Sequence, residues 1–366
     1  MFNNRKIKWL ILVGTLALFI ALVTVSCTPA PSPAPAPAPA PVPAPAPTPK
    51  YTWKIASTFP GVASMPMSGE VFADLVEQRT NGEVKFERFW GGTLGSIIES
   101  LEAVGAGQLD MHHLFPYGRL HPALDLSSIP FAATTDEEVD KLFYGDGIIN
   151  QTLMRVWEKI GIKVIYNTHS GFHDLWNSVR AIRSPDDMAD LKLRSMPGPL
   201  FLEMFERLGV LATPIAFQEV YDSLRTGTVD GLSVPAISGL ELKFNEVTGY
   251  ITDYHLAYTM PGFGMNLALF NSLPGDLQKI ILDAGIVAEN YNQNIERRGT
   301  IEAYKYLKDF GIEVIRLTPA ERQVFIDLIK PEELWDEFLA PILDETFPGE
   351  NLMAQIKAEV ARVRAE

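Results

Sequence analysis

The sequence has a single cysteine, Cys27, among its 366 residues, and it has fewer basic than acidic residues. One cysteine cannot form an internal disulfide, so the folded part must be held together by its hydrophobic core. The 31 lysines and arginines against 45 aspartates and glutamates give a formal net charge of −14. Such an acidic surface argues against a nucleic-acid partner, because the phosphates would be repelled.

Catalytic and cofactor-binding motifs are also missing. The sequence contains no HExxH, CxxC or EF-hand pattern for a metal, no GxSxG nucleophile elbow, and no GxGxxG or P-loop for a nucleotide. Two of the six histidines, His112 and His113, are adjacent, so on a strand they point to opposite faces and cannot both bind one metal ion. We therefore expect neither an enzyme nor a metal or cofactor site.

What the sequence does have begins with an export leader. Arg5, Lys6 and Lys8 precede an uncharged, mostly apolar run over residues 9–23, and Cys27 follows shortly after it. This order is typical of a secretory signal, and a cysteine at the cleavage site is typical of bacterial lipoproteins. We predict a lipoprotein signal peptide over residues 1–26 and a lipid on Cys27, which would anchor the exported protein to the outer face of the cell membrane. The alternative is an uncleaved anchor helix with a chance cysteine.

Residues 28–50 alternate almost strictly between proline and alanine. Such a segment cannot build a core and favours the extended polyproline II conformation, at roughly 3 Å per residue. It could hold a folded domain on the order of 70 Å from a membrane. We predict a spacer behind the lipid anchor; a peptide ligand for another protein is the alternative.

From residue 51 onward, strand-like and helix-like segments alternate. WKIAST, VKFERF and IKVIYNT have the pattern of strands, and apolar residues at helical spacing lie between such segments. This order predicts an α/β architecture with mostly parallel sheets. The length that follows the spacer is ample for two lobes.

The longest helical pattern opens at Leu273 and Pro274 and ends at Gly311. It predicts a helix of about 35 residues, which would be about 50 Å long. Because that exceeds the size of one small lobe, we expect this helix to span both lobes.

A candidate anion site lies in residues 191–235. Arg194 ends a short strand there, and the segment continues through helices and a second apolar strand to a TGTVDG turn. One guanidinium at a strand end that faces helix N-termini is a geometry for anion recognition.

Six segments, taken in order, resemble one family. They are TNGEVKFERFWGGTLG, GQLDM, IPFAATTDEEVDKLFYG, RAIRSPDDMADLKLR, TPIAFQEVYDSLRTGTVDG and SLPGDLQKIILDAG. Together they resemble the extracytoplasmic substrate-binding proteins of TRAP (tripartite ATP-independent periplasmic) transporters, of the C4-dicarboxylate-binding type. The resemblance covers residues 51–366.

The resemblance implies a two-lobe periplasmic-binding-protein-like fold, in which each lobe is a β-sheet flanked by helices and a long helix bridges both. We assign residues 51–172 and 261–300 to lobe I, and residues 173–260 and 301–366 to lobe II. The implied function is capture of a small organic acid by hinge closure, followed by delivery to the membrane permease subunits of the transporter.

The resemblance also implies site residues. Arg194 falls at the family's carboxylate-binding arginine, and a planar guanidinium fork is the natural partner of a carboxylate. Phe217 falls at the family's pocket aromatic residue, and Tyr221, one helical turn later, could face either the pocket or the core.

Several positions depart from the family pattern. Val234 stands where an asparagine is common, and a second arginine would fall at His173 or Asp174. After GQLDM, where some members place polar ligand contacts, this chain has Phe115 and Tyr117. Two further aromatic residues are expected in loops that border the cleft, where they could serve the ligand or the core: Trp90 and Trp176.

One carboxylate clamp is thus retained and the second is lost. A dicarboxylate would leave one buried charge poorly paired, at a cost of several kcal/mol. The sequence therefore favours a monocarboxylate with an apolar or aromatic body, or a zwitterion whose ammonium group meets Asp174. Two other functions stay open: a sensor protein of the same fold that presents the acid to a membrane receptor, and an anchored enzyme.

Overall fold

Two β-sheets organise the chain in a computed structural model, which describes residues 48–196 and 198–366. The predicted signal peptide, the lipid on Cys27 and nearly all of the predicted spacer lie outside the described residues. Within the described part, no helix has both the length and the hydropathy needed to cross a bilayer.

The first sheet has five strands in the spatial order β2-β1-β3-β10-β4. These strands are β1 (Tyr51–Ala56), β2 (Val84–Phe89), β3 (Met111–Leu114), β4 (Ile162–Asn167) and β10 (Gly262–Asn266). All of them fall within the residues assigned to lobe I.

The second sheet has six strands in the order β11-β9-β5-β8-β6-β7. They are β5 (Asp174–Asn177), β6 (Leu193–Ser195), β7 (Ala212–Pro214), β8 (Gly231–Val234), β9 (Tyr250–Asp253) and β11 (Glu313–Arg316). They fall within the residues assigned to lobe II.

Both sheets are mixed rather than mostly parallel, which corrects the sequence-based expectation. Strand β10 runs antiparallel to both of its neighbours in the first sheet, and β5 does so in the second. Strand β5 directly follows residues 168–173, and β10 directly follows residues 254–261. In each of these two crossing segments the chain passes from one sheet to the other. Neither crossing contains a helix, whereas parallel neighbours within one sheet need a long crossover connection, usually a helix.

Helices cover the sheets. They are α1 (Ser64–Arg79), α2 (Ile97–Gly105), α3 (Asp136–Phe143), α4 (Ile148–Lys159), α5 (Pro199–Arg207), α6 (Val220–Arg225), α7 (Ala236–Glu241), α8 (Leu267–Ser272), α9 (Gly275–Phe310), α10 (Pro319–Ile329), α11 (Pro331–Leu334), α12 (Ala340–Thr346) and α13 (Leu352–Ala365). Short 3₁₀ turns cover Pro122–Ser128, Pro185–Met188, Phe217–Glu219 and Phe244–Glu246, and a π-helical turn covers Trp335–Leu339.

Several helices begin with a reciprocal cap that the sequence encodes. Ser96, Thr135 and Thr318 each accept a hydrogen bond from the backbone of a glutamate three residues later, and that glutamate accepts one from the backbone of the cap. Each such box satisfies two backbone donors that a helix start would otherwise leave unpaired.

Each sheet packs against its own side of the long helix α9. Trp53, Phe72 and Ile281 belong to the core of the first sheet, whereas Leu232 and Leu307 belong to that of the second. The α9 residues of the first core lie between Leu277 and Ala288, and those of the second core lie between Ala303 and Leu307. The helix also contacts α1, β4, α7 and β11. The prediction of two sheet-and-helix lobes joined by a long helix is therefore confirmed.

The C-terminal helices add a third set of core contacts. Phe143, Trp335 and Ile356 belong to one apolar cluster, and α13 contacts α3 and α4. Because α3 and α4 lie in the stretch assigned to lobe I, the assignment of residues 301–366 to lobe II stays a prediction.

Two glycines explain the position and the end of α9. A Cβ on Gly285 would lie 2.8 Å from the carbonyl oxygen of Ile165, so glycine allows the helix to approach β4 closely. Gly311 follows the last helical residue with a φ of +103°, in the left-handed region. There its amide caps the helix by donating to the carbonyls of Leu307 and Lys308.

We expect Gly311→Ala to lower the free energy of unfolding by about 1–2 kcal/mol, because a Cβ is strained in the left-handed region. Nothing lies within 4 Å of the added Cβ, so the loss would report backbone strain alone. Gly275→Ala, at the first residue of the same helix and in equally open space, is the matched control and should cause no loss. Denaturant unfolding of the full chain measures both; equal losses would contradict the prediction.

Candidate functional site

A small cavity lies between the two lobes. Its volume is about 30 Å³, which holds a few water molecules rather than an organic acid. It is lined by residues of both lobes and of the crossing segments: Phe59, Phe115, Tyr117, Ser170, His173, Arg194, Met196, Phe217, Val234, Pro235, Ser238 and Thr259. Separation of the lobes would open this space, since its walls come from both sides.

Arg194 is the charged residue of the cavity. It is in β6, between β7 and β8, with only 2% of its surface exposed. Its Nε donates to the carbonyl oxygen of Ile215 at 3.0 Å, which fixes the plane of the guanidinium. The guanidinium carbon lies 5.6 Å from the ring centre of Phe217, a cation–π contact.

The guanidinium of Arg194 lacks a counterion within the described residues. No carboxylate of those residues forms an ion pair with it, and its Nη2 has no hydrogen-bond partner among them. Burial lowers the pKa of Arg194 while the nearby Tyr117 raises it, but an arginine keeps its charge in proteins. An unpaired buried charge costs several kcal/mol, and a ligand carboxylate would remove that cost.

His173 lies beside Arg194 in the cavity as a neutral group. Burial and the positive charge of Arg194 lower the pKa of His173 to about 3. Its Nε2 lies 2.8 Å from the hydroxyl of Thr259, and its Nδ1 lies 3.5 Å from that of Ser233. A neutral imidazole can hydrogen-bond a polar group of a ligand, but it cannot neutralise a second carboxylate.

Three phenylalanine rings form most of the apolar wall. Phe59 stacks on Phe115 with ring centres 5.5 Å apart and an interplanar angle of 6°. Phe217, from the other lobe, lies 5.7 Å from Phe59 and 6.3 Å from Phe115. This aromatic cluster of Phe59, Phe115 and Phe217 thus bridges the cleft directly over Arg194.

The structure brings six of the predicted site residues together in the cavity. They are Arg194, Phe217, His173, Phe115, Tyr117 and Val234. Residues that the sequence analysis did not single out also line it: Phe59, Ser170, Met196, Pro235, Ser238 and Thr259. Ser170 and Thr259 come from the two crossing segments, and an isolated strand or helix pattern gives no signal for such positions.

Four predicted site residues do not line this cavity. Trp176 is fully buried in the second sheet, where its indole donates to the carbonyl oxygen of Val234. Trp90 donates to Glu70 on the surface of lobe I. Tyr221 donates to Glu246 at 2.9 Å, at the edge of lobe II.

Asp174 is the fourth of these residues. It follows His173 directly, and adjacent residues of a strand point to opposite faces. Its carboxyl oxygens both accept from the hydroxyl of Tyr304 at 2.9 Å. Burial and the neighbouring Asp253 raise the pKa of Asp174 well above its usual range. This arrangement gives Asp174 a structural role in lobe II and disfavours its contact with an ammonium group of a ligand.

The two lobes, the long helix and the buried unpaired cation in the cleft together define a class of protein: a two-lobe binding protein that closes around a small anionic molecule. The sequence profile of the bacterial extracellular solute-binding protein family 7 (DctP) matches residues 66–340. The chain belongs to this family, whose members serve TRAP transporters, as the sequence resemblance predicted.

Two curated relatives illustrate this membership. A solute-binding protein of Verminephrobacter eiseniae is 33% identical over 217 residues, which is 59% of this chain and 64% of that protein. The 2,3-diketo-L-gulonate-binding periplasmic protein YiaO of Escherichia coli is 28% identical over 268 residues, which is 73% of this chain and 80% of that protein. YiaO is named for solute binding rather than for an enzymatic reaction.

Two solved structures share the fold. A TRAP solute-binding protein of Ralstonia eutropha with bound (S)-2-acetolactate matches at a TM-score of 0.77 and 25% identity, over 85% of this chain and 99% of that one. One of Desulfovibrio salexigens with bound orotic acid also matches at a TM-score of 0.77 and 25% identity, over 86% and 99%.

A structural role for Asp174 makes a testable prediction. Tyr304→Phe should lower the free energy of unfolding by about 1–3 kcal/mol, because the buried carboxyl of Asp174 loses its hydroxyl donor. Tyr306→Phe is the matched control on the same helix. Tyr306 is 54% exposed, so its hydroxyl is hydrated in both the folded and the unfolded state, and its removal should not change the stability. Thermal unfolding measures both variants, and an unchanged Tyr304→Phe protein would argue against this role.

Proposed function

We propose that this protein captures an organic acid with one carboxylate and an apolar or aromatic body, and delivers it to a TRAP membrane permease. The proposal is carried by one observation: Arg194 is the only permanently charged residue that lines the described cavity. A single buried cation matches a single carboxylate. The planar guanidinium, already oriented by Ile215, can present Nη2 to a carboxylate oxygen.

The other walls of the cavity do not favour a second carboxylate. His173 is neutral, and Val234 contributes an apolar side chain at the neighbouring strand end. A second ionised carboxylate would be buried there without a charged partner, at a cost of several kcal/mol. Hydroxyl or keto groups suit the site better, since Thr259 and Ser238 supply neutral hydroxyl groups.

The aromatic cluster favours an apolar body in the ligand. A flat or branched group can lie between Phe59, Phe115 and Phe217 when the lobes separate and close again. The names of three similar proteins support the single carboxylate rather than the apolar body. Acetolactate, orotic acid and 2,3-diketo-L-gulonate, which those names give as ligands, each carry one carboxyl group.

The predicted lipid on Cys27 and the proline–alanine spacer complete the proposal. A binding protein that must hand its ligand to a permease benefits from staying at the membrane, and a semi-rigid spacer gives the lobes room to reach the permease. We infer that the protein acts as a tethered receptor on the outer face of the cell membrane.

The ligand class can be tested by thermal unfolding with a panel of acids. We expect orotate or acetolactate to raise the melting temperature, whereas succinate and malate should raise it less. A ligand at 100 times its Kd adds about 2.7 kcal/mol of stability, which is easily seen. Binding of succinate or malate tighter than micromolar, with no response to monocarboxylates, would overturn the proposal.

The role of Arg194 makes a separate prediction. Arg194→Ala should weaken the binding of any acid found in that panel by more than about 100-fold, since a buried charge pair loses one partner. The same change should leave the protein folded in the absence of acid, because it removes an unpaired buried charge. The matched control is Arg225→Ala in the same lobe, where the arginine is exposed and pairs with Asp222; it should bind normally. Retained affinity in Arg194→Ala would refute the clamp.

The lipid anchor is tested by metabolic labelling with an alkyne-tagged fatty acid. The wild-type chain should be labelled and found in the membrane fraction, and Cys27→Ser should carry no label. Cys27 is the sole cysteine of the sequence, so a labelled Cys27→Ser protein would place the lipid elsewhere. A wild-type protein in the membrane without label would instead support an uncleaved anchor helix.

A further inference from the structure

Three elements meet at a buried point that the ligand cavity does not include. Ser64 is the first residue of α1, in the first lobe. Glu241 is the last residue of α7, in the second lobe. Glu296 is on the long helix α9, which contacts both of these helices.

Ser64 binds both carboxyl groups. Its backbone N–H donates to Oε1 of Glu241 at 2.7 Å, and its hydroxyl donates to Oε1 of Glu296. Glu296 is fully buried. The second oxygens, Oε2 of Glu241 and Oε2 of Glu296, are both buried and have no hydrogen-bond partner among the described residues. The contact between Ser64 and Glu241 joins one lobe to the other.

Among residues 48–196 and 198–366, no cation pairs with either of the two carboxyl groups. The first turn of α1 carries no charged residue, and Glu241 is the only charged residue of α7. The neutral Tyr258, in the second crossing segment, lies close to Glu296. Tyr258 hydrogen-bonds His169 of the first crossing segment. Burial lowers the pKa of His169 to about 3, so this imidazole is neutral as well. Arg297, the next residue on α9, directs its guanidinium to Asp140 instead.

Two buried carboxyl groups that share one serine repel each other when both are ionised, which favours a proton on one of them. The backbone N–H of Ser64 at the start of a 16-residue helix favours the anion at Glu241. The proton therefore belongs on Glu296, where burial and the charge of Glu241 raise the pKa well above its usual range.

We propose that Ser64, Glu241 and Glu296 form a proton-binding site that is completed when the two lobes close, so that closure takes up a proton. In the open form, Ser64 and Glu241 separate and water reaches Glu296, whose proton is then released near neutral pH. The site is independent of the ligand class proposed above, because none of its three residues lines the cavity.

The direction of the pH dependence follows from this linkage. A carboxyl with a higher pKa in the closed form favours closure at low pH and opposes it as the pH rises. Below the ordinary glutamate pKa of about 4.3 both forms hold the proton, and closure has no pH dependence. Above it, the closed-to-open ratio falls by up to about tenfold for each pH unit, until the proton is lost from the closed form as well.

The proposal can be tested without any ligand by a distance measurement between the lobes. Val62 is 87% exposed and lies two residues before Ser64, and the exposed Lys243 lies two residues after Glu241. In the full chain, Cys27→Ser removes the native thiol, and Val62→Cys with Lys243→Cys allows a donor and an acceptor dye to be attached. Energy transfer between the dyes from pH 5.5 to 8.5 then reports the closed-to-open ratio.

In the labelled protein with both glutamates intact, the closed-to-open ratio should fall as the pH rises. In the labelled Glu296→Gln protein, this ratio should stay constant within about twofold. Glu241→Gln, a second variant, should end the fall at a lower pH, because loss of the neighbouring charge lowers the pKa of Glu296 in the closed form. Glu289→Gln is the matched control: Glu289 is also a largely buried carboxyl on α9, but it accepts from the backbone of Asn167 within the first lobe.

Glu289→Gln should therefore keep the full pH dependence. The proposal is overturned by a ratio that does not change with pH, by a Glu296→Gln protein with the original pH dependence, or by a Glu289→Gln protein that loses it. None of these results depends on which acid the protein binds, so they leave the proposed function untouched.

Discussion

The burial of one unpaired guanidinium is the constraint around which the binding lobes are arranged. Arg194 can stay charged inside the protein only because Ile215 accepts from its Nε and Phe217 offers the face of a ring. Both contacts depend on β6, which holds Arg194 between two parallel neighbours. Nη2 of Arg194, which lines the cavity, has no partner among the described residues and can donate to a ligand. The proposed capture of an acid between the two lobes rests on that incomplete pairing.

The long helix α9 connects the two lobes, because it contributes residues to the cores of both. Its first half packs with the first sheet and its second half with the second sheet, so a change in the cleft must be accommodated along one continuous element. The chain also crosses between the sheets twice, through residues 168–173 and 254–261, and Ser170, His173 and Thr259 of these crossings line the cavity. The two connections between the lobes therefore also contribute to the wall of the cavity.

Much of this architecture could be predicted from the sequence, because it depends on local patterns. Pro274 before the helix and Gly311 after it gave the long helix its bounds, and Arg194 was located by the motif that surrounds it. Side-chain direction was harder to predict. Asp174 and Trp176 lie in β5 and bind Tyr304 and the carbonyl oxygen of Val234 within lobe II, and only the tertiary structure fixes these contacts. Phe59 was missed because its role depends on contact with Phe217, 158 positions later in the chain.

The aromatic cluster gives the cleft a further character. The rings of Phe59, Phe115 and Phe217 contact one another across the cleft. An acid that binds there would have to replace some of these ring contacts with contacts of its own. An inorganic anion such as chloride matches the charge of Arg194, yet it brings no surface that replaces those contacts. In the proposed function the rings therefore select for the body of the ligand, whereas Arg194 selects for its charge.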